Sequence, residues 1–285
     1  MNEILQIVSR IVDEEIDFYR FLIVGNSFGK RSVFLYANGK EKPLYVVKIP
    51  ANMEGQERCF VEYKALSFLS QKPTPNVLHA IPVGQFKYKG FDCFIQTAIY
   101  GQLMLNDLPL LRKTPNVNQF YFVTDHLIAI YRHTRQPVPH KASSYSLCFQ
   151  HGDLWIGNLG YDQNNIVLYD LEFSKTNGKP LYDLIYFGIY YHRVVSNIGK
   201  VGRQIVIGHS GEQVDRRVFK LTPSDIKSVL VEPSPYSKIM KDCLRQYIKS
   251  CDIQEGDAVQ LIYDYIVEEQ QIQDLPKNWY RHIFD

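Results

Sequence analysis

The segment from residue 150 to residue 172 constrains the fold of this chain more strongly than any other part. It carries Asp153, then Asn158 five residues later, and Asp170 at the end of a short apolar run. The polar residues 162–165 lie between Asn158 and Asp170 and are flanked by apolar residues, which predicts a β-hairpin. Because residue 164 is the midpoint of 158 and 170, we expect antiparallel pairing to bring Asp170 opposite Asn158.

These three residue types match the needs of phosphoryl transfer from a magnesium nucleotide. Magnesium prefers oxygen ligands and keeps several waters, so the side chains of Asn158 and Asp170 suffice as its protein ligands. A carboxylate such as that of Asp153 then orients the attacking hydroxyl or accepts its proton. The sequence therefore predicts Asn158 and Asp170 as metal ligands and Asp153 as the catalytic residue.

The same segment resembles a known group of enzymes. The pattern His-Gly-Asp-Leu-x-x-x-Asn at 151–158, followed by Asp-x-Glu at 170–172 and Gly-Lys-Pro-Leu-Tyr-Asp-Leu at 178–184, is similar to the aminoglycoside phosphotransferase and choline kinase superfamily. The resemblance is dense over residues 145–190 and looser back to residue 20. It implies an α+β, bilobal, protein-kinase-like fold, with a small antiparallel-sheet lobe containing one helix and a larger, mainly helical lobe. We expect a nucleotide-binding lobe at 1–100 and a catalytic and substrate-binding lobe at 101–285.

The loop from Gly25 to Gly29 precedes a β-type run that we expect to begin at Ser32. It is not a Walker motif, because three residues rather than four separate the glycines and Arg follows the lysine. The resemblance implies a kinase-type loop over the phosphates, with Gly25, Ser27 and Gly29 contacting the nucleotide. A plain hairpin turn is the alternative.

A lysine, Lys48, lies in the middle of the apolar run 45–49, where an unpaired charge is costly to bury. The resemblance implies that Lys48 contacts the α- and β-phosphates of ATP and is held by a glutamate on the next helix. Glu62 is the preferred partner and Glu57 the alternative. The other interpretation of Lys48 is a side chain that reaches solvent from an edge strand. The resemblance also implies adenine contacts from the backbone near Gln96 and Ala98.

Three further polar residues surround the central motif. We expect His151 to orient the loop through hydrogen bonds rather than to act as a base. The resemblance implies that Asp183 braces the same loop. For Glu172 two interpretations stay open, contact with a second metal or its water shell, and exposure to solvent.

Composition excludes several classes of function. A formal net charge of +2 with scattered Lys and Arg argues against a nucleic-acid-binding protein. No apolar run approaches the roughly 20 residues that span a bilayer, so no membrane segment is expected. The five cysteines form no Cys-x-x-Cys pair, which favours a reduced, cytoplasmic location without disulfides or structural zinc.

The short distance between Asp170 and Asp183 bears on the acceptor. A protein kinase places its peptide-binding activation segment there, between Asp-Phe-Gly and Ala-Pro-Glu motifs that this chain lacks. A small hydroxylated acceptor is therefore expected: a sugar, an amino-sugar or an amino-alcohol. An acidic C-terminal stretch favours an amine-bearing acceptor or is a solvated helix face.

The sequence thus predicts an ATP- and Mg²⁺-dependent phosphotransferase that acts on a hydroxyl of a small molecule. Two alternatives stay open: a nucleotide-binding pseudokinase that acts as a scaffold, and a nucleotidyl transferase with the same fold. The oligomeric state and the identity of the acceptor are open as well.

Overall fold

A computed structural model describes residues 2–22, 29–37, 39–107, 114–138, 143–196, 221–269 and 283–284. The first part of the chain builds a five-stranded antiparallel sheet with strand order β1-β2-β3-β6-β5. Its strands are β1 (Phe18–Leu22), β2 (Lys30–Tyr36), β3 (Tyr45–Pro50), β5 (Pro82–Tyr88) and β6 (Phe91–Thr97). Apolar runs bounded by turn residues predict strands at 19–24, 32–37, 44–49, 81–86 and 92–98, and the strands of the sheet lie within a few residues of these positions.

Two helices cover this sheet. Helix α1 (Asn2–Val12) buries Ile4 and Val8 in a small core with residues of β2, β3 and β6, namely Val33, Leu35, Val47, Cys93 and Ile95. Helix α2 (Met53–Gln71) begins at Asn52, whose side chain accepts a hydrogen bond from the N–H of Gly55 at 2.8 Å. Capping of this kind satisfies a backbone donor that the first turn leaves unpaired.

The second part of the chain is mainly helical around a larger core. Its helices are α3 (Val117–Thr134), α4 (Tyr182–Ser196), α5 (Pro223–Ile226), α6 (Pro235–Ser250) and α7 (Glu255–Tyr263). Helix α5 continues as a π-helix at Lys227–Val231, and α7 continues as another at Asp264–Glu269. In the described part of the stretch 196–237, capping by Thr222 and Ser234 starts helices at Pro223 and Pro235.

Two small sheets in this part position the central motif. One has the order β4-β10-β9-β7, with strands β4 (Val77–Leu78), β7 (Gln102–Leu103), β9 (Leu159–Asp162) and β10 (Asn165–Leu168). The other pairs β8 (Cys148–Gln150) with β11 (Lys175–Gly178). Short 3₁₀ turns occupy Met104–Asp107 and Ile156–Asn158.

The fold has the α+β, protein-kinase-like architecture that was predicted, with a small antiparallel sheet before a larger helical part; the sheet is covered by two helices, α1 and α2, where one was predicted. The division at residue 100 stays a prediction. The first sheet ends at Thr97, but β4 pairs in parallel with β10, and Ala65, Leu66 and Leu69 of α2 pack into the larger core.

In the described part of the chain no helix is long and apolar enough to cross a membrane. All five cysteines are buried and free.

Candidate active site

The β9–β10 hairpin forms, but its register differs from the predicted one. Leu168 pairs with Leu159, and beyond this pair the N–H of Tyr169 donates to the carbonyl of Asn158 at 3.1 Å. Placing Asp170 opposite Asn158 was therefore wrong by one residue. The reason is a two-residue turn in which Gln163 adopts a φ of 54°, so the hairpin closes between residues 163 and 164.

Asp170 directly follows this hairpin and also has a left-handed backbone, with φ 54°. Non-glycine residues adopt this region rarely, although Asp tolerates it better than most. Such conformations concentrate at functional sites, where the surrounding structure holds them.

Asp153 lies in the loop after β8 with hydrogen bonds to both carboxylate oxygens. The hydroxyl of Tyr186 donates to Oδ1 at 2.5 Å, and Nδ2 of Asn158 donates to Oδ2 at 3.0 Å. Burial raises the pKa of Asp153 to about 6; the hydrogen bonds from Tyr186 and Asn158 oppose this shift, and the charge of Asp170 adds to it. Burial and the charge of Asp153 also raise the pKa of Tyr186, so its hydroxyl stays protonated and acts as the donor.

Asp183 and His151 hold the loop around Asp153 through hydrogen bonds to backbone groups, in line with the predictions for these two residues. Asp183 accepts the N–H groups of His151 at 2.7 Å and of Gly152 at 3.0 Å. His151 is 1% exposed; its Nε2 lies 2.8 Å from the carbonyl of Tyr169, and its Nδ1 accepts the N–H of Asp153 at 3.3 Å. Burial lowers the pKa of His151 to about 4. Both ring nitrogens of His151 are engaged by the backbone, so the side chain orients the loop rather than acting as a base.

Gly152 has a φ of +82°, and a Cβ at this position would overlap the backbone carbonyl of Phe173. Only glycine accommodates both the conformation and this close approach. The contact ties the loop that carries Asp153 to the residues just after Asp170.

Lys48 forms the ion pair that was predicted. Its Nζ lies 3.1 Å from Oε1 of Glu62 and 3.9 Å from Oδ1 of Asp170, and both Lys48 and Glu62 are buried. The alternative partner, Glu57, is exposed on α2. Because β3 lies between β2 and β6, the edge-strand interpretation of Lys48 is wrong. Nε2 of Gln96 also reaches Oε1 of Glu62, at 3.4 Å.

The sequence did not predict a role for Lys30. Its ammonium lies among the carboxylates of Glu62, Asp170 and Glu172. Its Nζ is 2.6 Å from Oε2 of Glu172, 2.9 Å from Oδ1 of Asp170 and 3.6 Å from Oε2 of Glu62. In the β2–β3 ladder Ser32 pairs with Lys48, so period-two alternation puts Lys30 on the same face of the sheet. The alternation that places Lys30 on this face was not recognised, because β2 was expected to begin at Ser32, two residues after its actual start.

The cluster of Lys30, Lys48, Glu62, Asp170 and Glu172 is electrostatically coupled. Burial acts to lower the pKa of Lys30, but the three carboxylates outweigh it and raise the pKa, so this ammonium stays charged. Burial acts to raise the pKa of Asp170, but Lys48 and Lys30 outweigh it and the net shift is downward. Burial, followed by the charge of Asp170, raises the pKa of Glu172. Glu172 is 5% exposed, so the solvent-facing interpretation of this residue is wrong.

The remaining predicted nucleotide contacts are described in part. Gly25 and Ser27 lie outside the described residues. Gly29 has a φ of +64°, and its carbonyl accepts the N–H of Ala51 at 2.5 Å, which anchors the start of β2 beside α2. The N–H of Ala98 donates to the carbonyl of Leu44 at 2.8 Å, so any adenine contact at Ala98 uses its carbonyl.

The donor set fits a magnesium ion. Nδ2 of Asn158 donates to Asp153, which leaves Oδ1 of the amide as the atom that would ligate a metal together with the carboxylate of Asp170. Two buried carboxylate oxygens, Oε2 of Glu62 and Oε2 of Glu172, have the Lys30 ammonium as a neighbour, at 3.6 Å and 2.6 Å. Among the described residues no three His, Cys, Asp or Glu side chains form a metal-binding group, so a site here needs the amide and bound waters.

Comparisons with known proteins gave matches among solved structures alone. No family model matches the chain, and no curated protein matches it. The GDP complex of an aminoglycoside 2'-phosphotransferase aligns over 95% of this chain and 98% of its own, with 14% identity and a TM-score of 0.47. A spectinomycin phosphotransferase with ADP and spectinomycin aligns over 99% and 97%, with 11% identity and a TM-score of 0.49.

A thermostable mutant of another aminoglycoside phosphotransferase, with ADP and hygromycin B, aligns over 87% of this chain and 98% of its own, with 10% identity and a TM-score of 0.42. These structures belong to the enzyme group that the central motif resembles. Likenesses at this level do not transfer an activity. The case for a function therefore rests on the geometry of the chain itself.

Proposed function

We propose that this chain transfers the γ-phosphoryl group of ATP to a hydroxyl of a small molecule, such as a sugar, an amino-sugar or an amino-alcohol. One observation carries the proposal: the Lys48–Glu62 ion pair lies within 4 Å of Asp170, and Asp170 directly follows the hairpin whose start, Asn158, contacts Asp153. A phosphate-binding lysine, metal-binding oxygens and a hydroxyl-orienting carboxylate thus surround one space, as in-line phosphoryl transfer requires.

The roles of the residues follow from their contacts. Lys48, held by Glu62, pairs with the phosphates that it faces. Asn158 and Asp170 hold Mg²⁺, which neutralises phosphate charge in the transition state when it is bound. Asp153 is oriented by Tyr186 and Asn158, and it receives the proton of the acceptor hydroxyl.

A small acceptor is supported by the short path from Asp170 to Asp183. This segment contains β11, which pairs with β8, and it then enters α4 at Tyr182. Because these residues form a paired strand and the start of a helix, few are left to form a peptide-binding segment.

The test is an assay of the purified chain with Mg²⁺ and ATP against a panel of sugars, amino-sugars and amino-alcohols. ADP and pyrophosphate are followed separately. Acceptor-dependent ADP supports the proposal, and acceptor-dependent pyrophosphate overturns it in favour of nucleotidyl transfer. ATP binding with neither product across the panel favours the scaffold alternative.

The Asp153→Ala variant sharpens this assay. We expect turnover to fall by roughly 100-fold or more while the Kd for ATP, measured by calorimetry, changes little. Asp162→Ala, at an exposed carboxylate on the same hairpin, is the matched control and should retain full turnover. Unchanged turnover in Asp153→Ala would sink the proposal.

A further inference from the structure

Lys30 lies closer to Asp170 than Lys48 does. Its Nζ lies 2.9 Å from Oδ1 of Asp170, whereas Nζ of Lys48 lies 3.9 Å from the same atom. Lys30 also contacts Oε2 of Glu172 at 2.6 Å, and its side chain is 10% exposed. Neither the central motif nor the phosphate-transfer chemistry requires a second lysine in this position.

The ammonium of Lys30 and a divalent cation compete for the same oxygens. Magnesium binds oxygen ligands at about 2.0–2.1 Å and demands near-octahedral geometry. A cation at that distance from Asp170 lies close to the ammonium that is 2.9 Å from Oδ1, and the two positive charges repel each other. Metal binding therefore favours a Lys30 side chain that has turned away from Asp170.

The charge balance of the cluster agrees with such an exchange. Glu62, Asp170 and Glu172 contribute three negative charges, and Lys30 and Lys48 contribute two positive charges. The remaining charge of −1 attracts a divalent cation weakly. Moving Lys30 away raises the negative charge to −2, and the displaced ammonium then needs a new anionic partner.

The nucleotide supplies that partner. Lys30 is the first residue of β2 and lies on the same face of the sheet as Lys48, to which the proposed function assigns the phosphates. The backbone at Gly29 is fixed by its bond to Ala51, so the exchange needs rotation of the Lys30 side chain and no movement of the strand. Lys30 and Lys48 both contact Glu62, at 3.6 Å and 3.1 Å, so phosphates bound at Lys48 would lie within reach of the Lys30 side chain.

We propose that Lys30 is an internal counter-ion that occupies the cation position in the free chain and transfers to the nucleotide phosphates when Mg²⁺–nucleotide binds. This inference rests on the proposed function, because it assigns a positioning residue to that site. Lys30 makes metal binding depend on nucleotide binding: the metal alone has to displace an ammonium that has no new partner. By linkage, the nucleotide and the metal strengthen each other's binding.

The experiment measures Mn²⁺ binding to the whole chain by the electron paramagnetic resonance signal of free Mn²⁺, without and with ATP. Without ATP, Lys30→Met should bind Mn²⁺ roughly tenfold or more tightly than the unmodified chain, because one adjacent positive charge is gone. Lys48→Met removes the same charge at a longer distance from Asp170 and should give a smaller gain. Lys87→Met, at a lysine that is 80% exposed, should give none.

With Mn²⁺ present, Lys30→Met should also weaken ATP binding several-fold, because the phosphates lose one partner. If Lys30 had a structural role alone, its replacement would not tighten metal binding and weaken nucleotide binding at the same time. Lys30→Gln, which keeps a polar side chain, repeats the test if the Met variant does not fold. Equal or weaker Mn²⁺ affinity in the foldable variant overturns the inference, as does the absence of measurable Mn²⁺ binding in both proteins.

The outcome is separable from that of the proposed function. A tightened Mn²⁺ affinity without ADP production on any acceptor supports the counter-ion role and speaks against the kinase. Acceptor-dependent ADP with unchanged Mn²⁺ affinity supports the kinase and rejects the counter-ion role.

Discussion

Tyr186 donates a hydrogen bond of 2.5 Å to Oδ1 of Asp153, across a sequence separation of 33 residues. One turn earlier on the same helix, Asp183 accepts the N–H groups of His151 and Gly152. The first turns of α4 therefore fix both the backbone of the loop that carries Asp153 and the direction of the Asp153 carboxylate.

The bond from Tyr186 should be visible in the pH dependence of turnover. Asp153 accepts a proton only when ionised, so activity is lost as the pH falls through its pKa, which burial raises to about 6 in the metal-free chain. The hydroxyl of Tyr186 stabilises the ionised form and lowers this pKa. In Tyr186→Phe the acidic limb of kcat should move to higher pH, with a several-fold loss of turnover near pH 6.

Tyr190→Phe is the control for this prediction. The ring of Tyr190 stacks on that of Tyr186 with centroids 4.3 Å apart, and its hydroxyl bonds to Tyr186 rather than to Asp153. The acidic limb of this variant should stay close to that of the unmodified chain. An equal displacement in both variants would mean that the helix moves and that the single bond does not set the pKa.

Lys48 and Glu62 should behave as one unit. Lys48→Met should raise the Kd for ATP and lower turnover by roughly 100-fold, and Glu62→Gln should have a similar but smaller effect because it loosens the lysine. The double variant should be no worse than Lys48→Met alone, since residues that share one interaction are not additive. Glu57→Gln, an exposed position on the same helix, serves as the control. Full additivity in kcat/KM would contradict a shared role.

The elements that the sequence predicted well are those in which a local pattern determines the structure. Apolar runs between turn residues identified the strands of the first sheet. The cost of an unpaired charge in a buried strand singled out Lys48, and the resemblance implied Glu62 as its partner. The bracing by Asp183 came from the resemblance, and its hydrogen bonds confirm it.

The features that the sequence did not predict depend on backbone conformation or on packing between distant elements. The one-residue error in the hairpin arose because Gln163, a residue type without strong preference for positive φ, closes the turn. Lys30 was missed because its inward direction depends on β2 starting at residue 30. Tyr186 is one of several tyrosines on α4, and only the tertiary contact with Asp153 distinguishes it from Tyr182 and Tyr190.

Removal of the Asp183 carboxylate should destabilise the chain as well as the loop. In Asp183→Ala the N–H groups of His151 and Gly152 lose their acceptor in a buried environment, which costs roughly 2–4 kcal/mol. We expect a lower urea midpoint with an unchanged m-value, together with a fall in turnover. A variant with normal stability and normal kcat would show that water replaces the carboxylate without loss.

A comparison of Gly152 with Gly90 distinguishes the effect of backbone strain on stability from the effect of steric contact. Gly152 and Gly90 have nearly the same left-handed conformation, with φ of +82° and +85°, but an added Cβ meets the carbonyl of Phe173 at Gly152 and no atom within 4 Å at Gly90. Gly90→Ala should therefore cost about 1 kcal/mol of unfolding free energy, the price of the conformation alone. Gly152→Ala should cost roughly 3 kcal/mol or more, because the loop that carries Asp153 has to move away from Phe173.

The two glycine variants are compared by urea unfolding and by turnover with the acceptor that the panel identifies. Gly90→Ala should retain its kcat, since its turn joins β5 and β6 far from Asp153 along the chain. Gly152→Ala should lose most of its turnover even at temperatures where it is fully folded, because near-in-line transfer tolerates little displacement of the orienting carboxylate. Equal destabilisation of the two variants would indicate that the contact between Gly152 and Phe173 relaxes freely and does not hold the loop.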